Sequence, residues 1–363
     1  MVSSDGMNYA PKGKPNAVVN PGEFIFAVMY LDHGHIAGMC NGLVEAGATM
    51  KWVYDPDPEK VTRFKYAFPQ AQIASSEEEI LNDPEVILVA AAAVTYLRAE
   101  IGIRVLDSGK DYFTDKAPLT TLEQLALVKA AIRRSGRRYW CYFSERLHVE
   151  SAVYAGQLIQ DGTIGDVIQV TGFGPHRLNA PSRPQWFFER EKYGGILCDI
   201  GSHQIEQFLF YTGCDEANVV RSHVGNFANP QYPELEDFGE ALLVNDQGAS
   251  QYFKVDWFTP DGLSTWGDGR TFITGTKGYI ELRKYTDVGR EQSRDHVYFV
   301  DGHGEHHIHV ADKVGFPFFG EMILDILNGT SIAMTQEHIL KAAELAVMAQ
   351  NLAKRIGPEW KLR

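Results

Sequence analysis

Phe24-Ile25-Phe26-Ala27-Val28-Met29-Tyr30 leads into Asp32-His33-Gly34-His35-Ile36-Ala37-Gly38, and after a helical stretch to Ala46 comes Met50-Lys51-Trp52-Val53-Tyr54-Asp55. The first run is apolar throughout, as in a strand buried on both faces. Gly47 can end the helix. The last run is a second strand closed by an acid. Such a strand–turn–helix–strand unit suits a dinucleotide. A glycine lets backbone approach the pyrophosphate, the helix N-terminus favours its charge, and the acid can accept from a ribose diol. In the G-x-G-x-x-G/A register the turn reads Asp32, Gly34, Ala37, so an aspartate replaces the first glycine. Asp32 is tolerable there if it points away or caps the helix. The alternative is an ordinary strand-to-helix turn with an N-cap. Asp55 would repel a 2′-phosphate, which favours NAD over NADP, although Lys60 and Arg63 lie close in sequence.

The alternation continues downstream. Helical patterns at about 57–67, 76–81, 96–108 and 122–134 separate strands at 85–93, 111–114 and 138–143. That rhythm predicts a doubly wound parallel sheet. Ligands of such sheets sit outside the carboxyl ends of the strands. Gly34, Asp55, the small residues Ala91, Ala92 and Ala93, and Lys116 of Asp115-Lys116-Ala117-Pro118 all fall at those ends.

From Ser144 the pattern changes. A helix over about 149–161 and a strand over 167–173 precede a loop carrying His176, Arg177, Asn179 and then Trp186. Strands at 219–224, 238–244, 250–258, 271–275, 279–283 and 297–300 have no helices between them, which predicts an antiparallel sheet. Helices follow at 315–328 and from Thr335 to Gly357-Pro358. The organisation expected is a polar arm (1–22), an α/β Rossmann domain (23–143) and an α+β domain (144–363) with a large, mainly antiparallel sheet.

Composition narrows the function. The chain has 363 residues, 44% hydrophobic and 22% charged, with a formal charge of −13. Nucleic acid or an anionic membrane surface would need basic patches, so neither is expected as a partner. No run approaches a membrane span, and Met1–Glu23 lacks the apolar core of a signal peptide. Cys40, Cys141, Cys198 and Cys214 sit among apolar residues without metal spacing, which suits reduced thiols and a cytoplasmic home. His303, His306, His307 and His309 could meet around a metal if two strands paired, but no acid or cysteine completes the set. An exposed hairpin explains them, and no metal is expected.

Gly194-Gly195-Ile196-Leu197-Cys198-Asp199-Ile200-Gly201-Ser202-His203 carries the chemistry. Apolar residues at 197, 200, 205, 208 and 209 fit a helix, which puts Asp199 and His203 on one face. A carboxylate and an imidazole near open backbone form a proton-transfer pair. A structural Asp–His hydrogen bond is the competing reading.

The chain from about Phe24 to Ile356 resembles the Gfo/Idh/MocA oxidoreductases. The segment 194–203 is similar to that family's G-G-x-x-x-D-x-G-x-H segment, and Thr335-Gln336-Glu337-His338 resembles the start of its final helix. Asp115-Lys116-Ala117-Pro118 takes the place of its Glu-Lys-Pro, with Ala117 inserted ahead of the proline. The resemblance implies oxidation of a secondary hydroxyl of a small neutral sugar, glycoside or polyol by hydride transfer to NAD. His203 would be the base, Lys116 would polarise the hydroxyl and stabilise alkoxide charge, and Asp199 would orient the pair or bind a neighbouring hydroxyl. An ion pair of Lys116 with Asp199 or Asp115 is the structural alternative. The residues expected on the cofactor are Asp32, His33, Gly34, His35, Ile36, Asp55, Ala91, Ala92, Ala93, Asp115 and Lys116. His176, Arg177, Asn179 and Trp186 would join Asp199 and His203 on the substrate; a loop packed by Trp186 for stability is the alternative. The Asp-His-Gly-His turn and the Asp-Lys-Ala-Pro element look most like the glycoside 3-dehydrogenases, which make 3-keto sugars. A keto-sugar reductase, an NAD-dependent glycosidase with a transient 3-keto step, and a non-catalytic NAD or sugar sensor are the rival functions. The family's sheet usually mediates homo-oligomers.

Overall fold

The structure is a computed structural model and describes residues 5–358. By compactness the chain forms two units. One comprises Met7–Tyr142 and Gly315–Leu340; the other comprises, among the described residues, 5–6, Phe143–Val314 and 341–358.

The first unit is built from β1 (Ile25–Met29), α1 (His35–Glu45), β2 (Thr49–Tyr54), α2 (Pro58–Ala67), β3 (Gln72–Ile73), α3 (Glu77–Leu81), β4 (Leu88–Ala91), α4 (Arg98–Asp107), β5 (Asp111–Asp115), α5 (Leu122–Ser135) and β6 (Tyr139–Tyr142). All six strands are parallel, in the order β3-β2-β1-β4-β5-β6. The chain direction across the sheet reverses between β1 and β4, which opens a crevice at their carboxyl ends. Polar residues start the helices as their chemistry dictates. Asp57 accepts from Glu59 N at 2.9 Å, Ser76 from Glu79 N at 3.3 Å and Thr121 from Gln124 N at 3.1 Å. Phe26, Val28, Met29, Leu88, Val89, Tyr112 and Phe113 are fully buried, as the unbroken apolar runs require.

The second unit begins with α6 (Ser144–Leu147) and α7 (Glu150–Gln160). It continues through β7 (Val167–Pro175), α8 (Arg190–Tyr193), α9 (Ile196–Asp199), α10 (Gly201–Thr212), β8 (Ala217–Gly225), β9 (Phe238–Asn245), β10 (Ser250–Asp256), β11 (Arg270–Gly275), β12 (Tyr279–Arg283), β13 (His296–Asp301) and β14 (Gly304–His309). After α11 (Pro317–Asn328) and α12 (Gln336–Leu352), β15 (Lys354–Ile356) completes a nine-stranded sheet. Residues of the strands alternate as the pleat demands. One face buries Phe253, Ile273, Ile280, Leu282 and Val297, and α10 lies against it, with Gln204 and Ile200 over Gly172 and Gly174. The opposite face carries the half-exposed row Leu242, Tyr252, Thr171, Phe272, Glu281 and Tyr298.

Two expectations need correction, whereas the sheet is mainly antiparallel as expected, with two parallel pairs, β10 with β7 and β15 with β8. The excursion through α8, α9 and α10 supplies the long connection that lets β7 and β10 run the same way. The last helix stops at Leu352 rather than Gly357, and Lys354–Ile356 becomes an edge strand whose partner is distant in sequence. The α11 segment packs with the parallel sheet: its Phe318 and Phe319 rings meet Phe113, Trp140 and Tyr142, and Phe319 fills the space that Gly42 of α1 leaves.

Candidate functional site

The first unit offers a dinucleotide cradle at the β1–α1 turn. Gly34 is the N-cap of α1 and no side chain caps the helix. Asp32 neither caps nor faces the turn. Its Oδ1 lies 2.5 Å from Lys60 Nζ, and its Oδ2 accepts from Val94 N at 3.2 Å. The charge that replaced the first glycine is thereby neutralised, so the turn fits a pyrophosphate. Asp55 is buried, and burial raises its pKa. It accepts from Leu31 N at 2.7 Å and Asp57 N at 2.8 Å, so it braces the turn after β1 as well as closing β2. Ala91, Ala92 and Ala93 are fully buried at the end of β4, and Ile36 is buried on α1.

At the carboxyl end of β5 the buried Asp115 gathers three partners. His35 Nδ1 lies at 2.9 Å, Arg98 Nη2 at 3.2 Å and His33 Nδ1 at 3.4 Å. Burial would raise the pKa of Asp115, but the charges of His35 and Arg98 and the His35 hydrogen bond outweigh it and hold the carboxyl well below its usual range. Burial and the neighbouring His35 push His33 down, favouring a neutral ring whose Nδ1 accepts from His35 N at 3.2 Å. His33, His35 and Asp115 bring ligand-type atoms within 4.8 Å of one another. Arg98 already supplies counter-charge to that carboxylate. Lys116 follows, buried, and its peptide bond to Ala117 is cis, although the residue there is not proline. Arg98, which the sequence reading missed, ties this corner together. It donates to the carbonyls of Ala93 (2.8 Å), Lys116 and Ala117 (3.1 Å). Only its place at the start of α4, just past β4, could have singled it out.

The second unit carries the other candidates. Gly194 and Gly195 have φ of 86° and 93°, a region that side chains disfavour, and they turn the chain into α9. The start of α9 is pinned by Ile196 N on Glu236 Oε2 and Leu197 N on Gln350 Oε1, both 2.9 Å. Ile200 keeps helical angles between α9 and α10, and His203 N bonds Ile200 O at 3.2 Å. Asp199 and His203 therefore stay one turn apart on nearly continuous helix. Asp199 is half-buried; His203 is 1% exposed, with the Phe143 ring 6.5 Å from its own.

The loop after β7 divides. His176 is buried against Trp266 and Trp257, with ring centroids at 4.5 and 5.4 Å, and its Nδ1 lies 3.2 Å from Gly174 O. Arg177 spends its guanidinium on the carbonyls of Pro260 and Leu263. Asn179, at φ 45°, donates to Asp5 Oδ2 at 2.9 Å. Trp186 is half-buried beside Phe187. Arg183, another residue missed, lies over the Phe187 and Trp257 rings at 4.7 and 5.0 Å. Burial lowers its pKa while the charges of Asp5 and Asp199 raise it, so this buried cation shares the field of Asp199. Glu145 and Lys284 form a buried pair at 3.1 Å, with Gln204 Nε2 on the same carboxylate oxygen at 2.9 Å.

No helix among the described residues is long and apolar enough to cross a membrane. Residues 36–143 match the family profile described as oxidoreductase family, NAD-binding Rossmann fold, and residues 153–281 match the GFO/IDH/MocA C-terminal domain. A solved protein from Erwinia carotovora atroseptica SCRI1043, described as an oxidoreductase, is 48% identical, with a TM-score of 0.89 over 92% of this chain and 100% of that one. The D-xylose dehydrogenase of Paenarthrobacter nicotinovorans is 28% identical over 37% of this chain and 35% of its own length. The NADP(+)-linked scyllo-inositol 2-dehydrogenase of Bacillus subtilis is 30% identical over 42% of each. The chain thus spans well under half the length of these two curated relatives. Both profile matches together cover most of the chain, in the order and at the places where the two sheets fold: it belongs to the GFO/IDH/MocA family of NAD-binding oxidoreductases.

Proposed function

We propose that the protein oxidises a secondary hydroxyl of a neutral sugar, glycoside or polyol, best fitted by C3 of a glucoside, with NAD as hydride acceptor. The observation that carries this reading is the Asp199–His203 pair at the α9–α10 junction, presented by two left-handed glycines. Dehydrogenases of xylose and inositol among the relatives support the substrate class. His203 accepts the hydroxyl proton. Lys116, whose backbone carbonyl accepts from Arg98 at the end of β5, stabilises the oxygen as charge develops. Asp199 orients the imidazole or takes a neighbouring hydroxyl. Half-buried Trp186 offers a flat apolar face of the kind a pyranose packs against.

The cytoplasm is the compartment that four buried thiols suit. A homo-oligomer through the half-exposed sheet face, which carries Leu242, Phe258 and Tyr279 at 37%, 42% and 51% exposure, accounts for that apolar surface. Light scattering on the purified protein reads the subunit count.

The test is a panel of free sugars, polyols and O- and C-glycosides incubated with NAD while NADH is followed, with product analysis for 3-keto sugar. His203→Ala and Lys116→Ala should each lower kcat by ~10²–10⁴ with NADH affinity nearly intact. Wild-type turnover by either variant refutes the assignment.

A further inference from the structure

His203 sits in the first turn of α10, and no side chain caps that turn. It is held from beneath. Gln207 Nε2 donates to the His203 carbonyl at 2.9 Å, and Gln207 Oε1 accepts from Lys284 Nζ at 2.7 Å. A glutamine side chain both donates and accepts, so one amide joins the backbone of the candidate base to an ammonium. Lys284 lies just past β12 and is 1% exposed. Glu145 of α6 balances its charge, and the same carboxylate oxygen accepts from Gln204, the residue after His203. Gln204 is held twice more. Its carbonyl accepts from Gln251 Nε2 at 2.6 Å, and its amide fills the space left by Gly172 of β7, where a methyl group would overlap Gln204 Oε1. Alongside, Arg146 Nε donates to Glu206 Oε1 at 2.7 Å, a second charge pair between α6 and α10. All of these charged and amide side chains are buried.

We infer that Lys284, Gln207 and Glu145 are positioning residues for His203. The ammonium fixes the Gln207 amide, the amide fixes the His203 carbonyl, and Glu145 fixes the next residue through Gln204. The imidazole is thereby presented at one depth and one rotation of α10. The inference rests on His203 being the base of the proposed reaction. Stability alone does not call for these charges, since a buried ion pair is often replaceable by apolar residues of like volume without loss. What the charges add is direction. Apolar packing under α10 would tolerate small slides and rotations, whereas an amide bonded at both ends permits one setting. A misplacement of about 1 Å can cost on the order of 10²-fold in rate. Glu145 Oε1 also lies 4.0 Å from His176 Nε2, so the carboxylate that sets the helix faces the loop after β7 as well.

The test separates positioning from stability in the full chain. Lys284→Met strands the Glu145 charge and should lower the melting temperature. Adding Glu145→Gln removes that charge too and should recover most of the loss. Turnover should not recover with it. In the double variant kcat should stay about 10–100-fold below wild type, while substrate KM and NADH affinity change little. Gln207→Met leaves Lys284 on Glu145 but cuts the link to His203. It should show the same kcat loss, and it carries the test if the double variant does not fold. Wild-type kcat in either variant overturns the inference. So does a kcat that returns in step with the melting temperature, which is what a purely structural pair gives. Hydrogen exchange of the peptide spanning 200–212 needs no substrate; it should quicken several-fold in both variants, and unchanged exchange also overturns the inference. His203→Ala tells the two failures apart. Wild-type turnover there removes the base assignment and the positioning role together, whereas an inactive His203→Ala beside a fully active Gln207→Met sinks only the positioning role.

Discussion

Arg98→Met is the perturbation that probes the catalytic corner most directly. Arg98 is 1% exposed, and its guanidinium meets one carboxylate and three carbonyls. Methionine fills most of the volume but offers none of those donors. Removing one partner of a buried ion pair costs about 3–5 kcal/mol, because the remaining charge stays buried. The carbonyls left unpaired add to this, and His35 beside Asp115 offsets part of it. A net loss of about 4 kcal/mol follows. With a urea dependence near 3 kcal/mol/M, the unfolding midpoint of the parallel-sheet unit should fall by about 1.3 M. The decisive measurement is a double-mutant cycle with Asp115→Asn, which removes the charge that Arg98 balances. The double variant should be more stable than the sum of the single losses by about 2 kcal/mol or more. Additivity within about 0.5 kcal/mol would refute the claim that Arg98 and Asp115 act as one unit. Turnover should drop in Arg98→Met, since Lys116 loses the guanidinium that holds its own carbonyl.

Other outcomes can be stated briefly. Asp295 is buried, accepts from Ser151 N and Oγ at 2.9 Å, and has Arg294 and Glu150 as its charged neighbours; burial pushes its pKa up to about 6 from 3.8. The folded state therefore binds the extra proton between pH 4 and 6, and stability falls as pH rises through that window, by at most about 3 kcal/mol. Asp295→Asn keeps the acceptor, tolerates the φ of 63°, and should flatten that dependence and raise the melting temperature at pH 7.5. Gly42→Ala would drive a methyl group into the Phe319 ring and should cost about 1–3 kcal/mol, which Phe319→Leu in the same chain should partly recover. For the catalytic pair, loss of turnover without loss of NADH binding in His203→Ala and Lys116→Ala is the expected split.

What the sequence determined alone was everything carried by short-range pattern. Buried parallel strands announce themselves as unbroken apolar runs such as Phe24–Tyr30, and caps such as Asp57 and Thr121 act within three residues. The Asp199–His203 spacing is helical geometry, legible without coordinates. Only the tertiary structure decided the rest, because it depends on groups far apart along the chain. Nothing near Asp32 says that Lys60 will neutralise it, and nothing near Arg98 says that Asp115 and the Lys116 carbonyl will meet it. Lys354–Ile356 is a strand only because β8 offers an edge. The path of the arm along α1 is invisible locally, since a polar stretch gains order solely from the glycines and carboxylate it docks against. Local propensity sets the elements. Burial and long-range hydrogen bonding choose their partners, and the candidate site is made of partners.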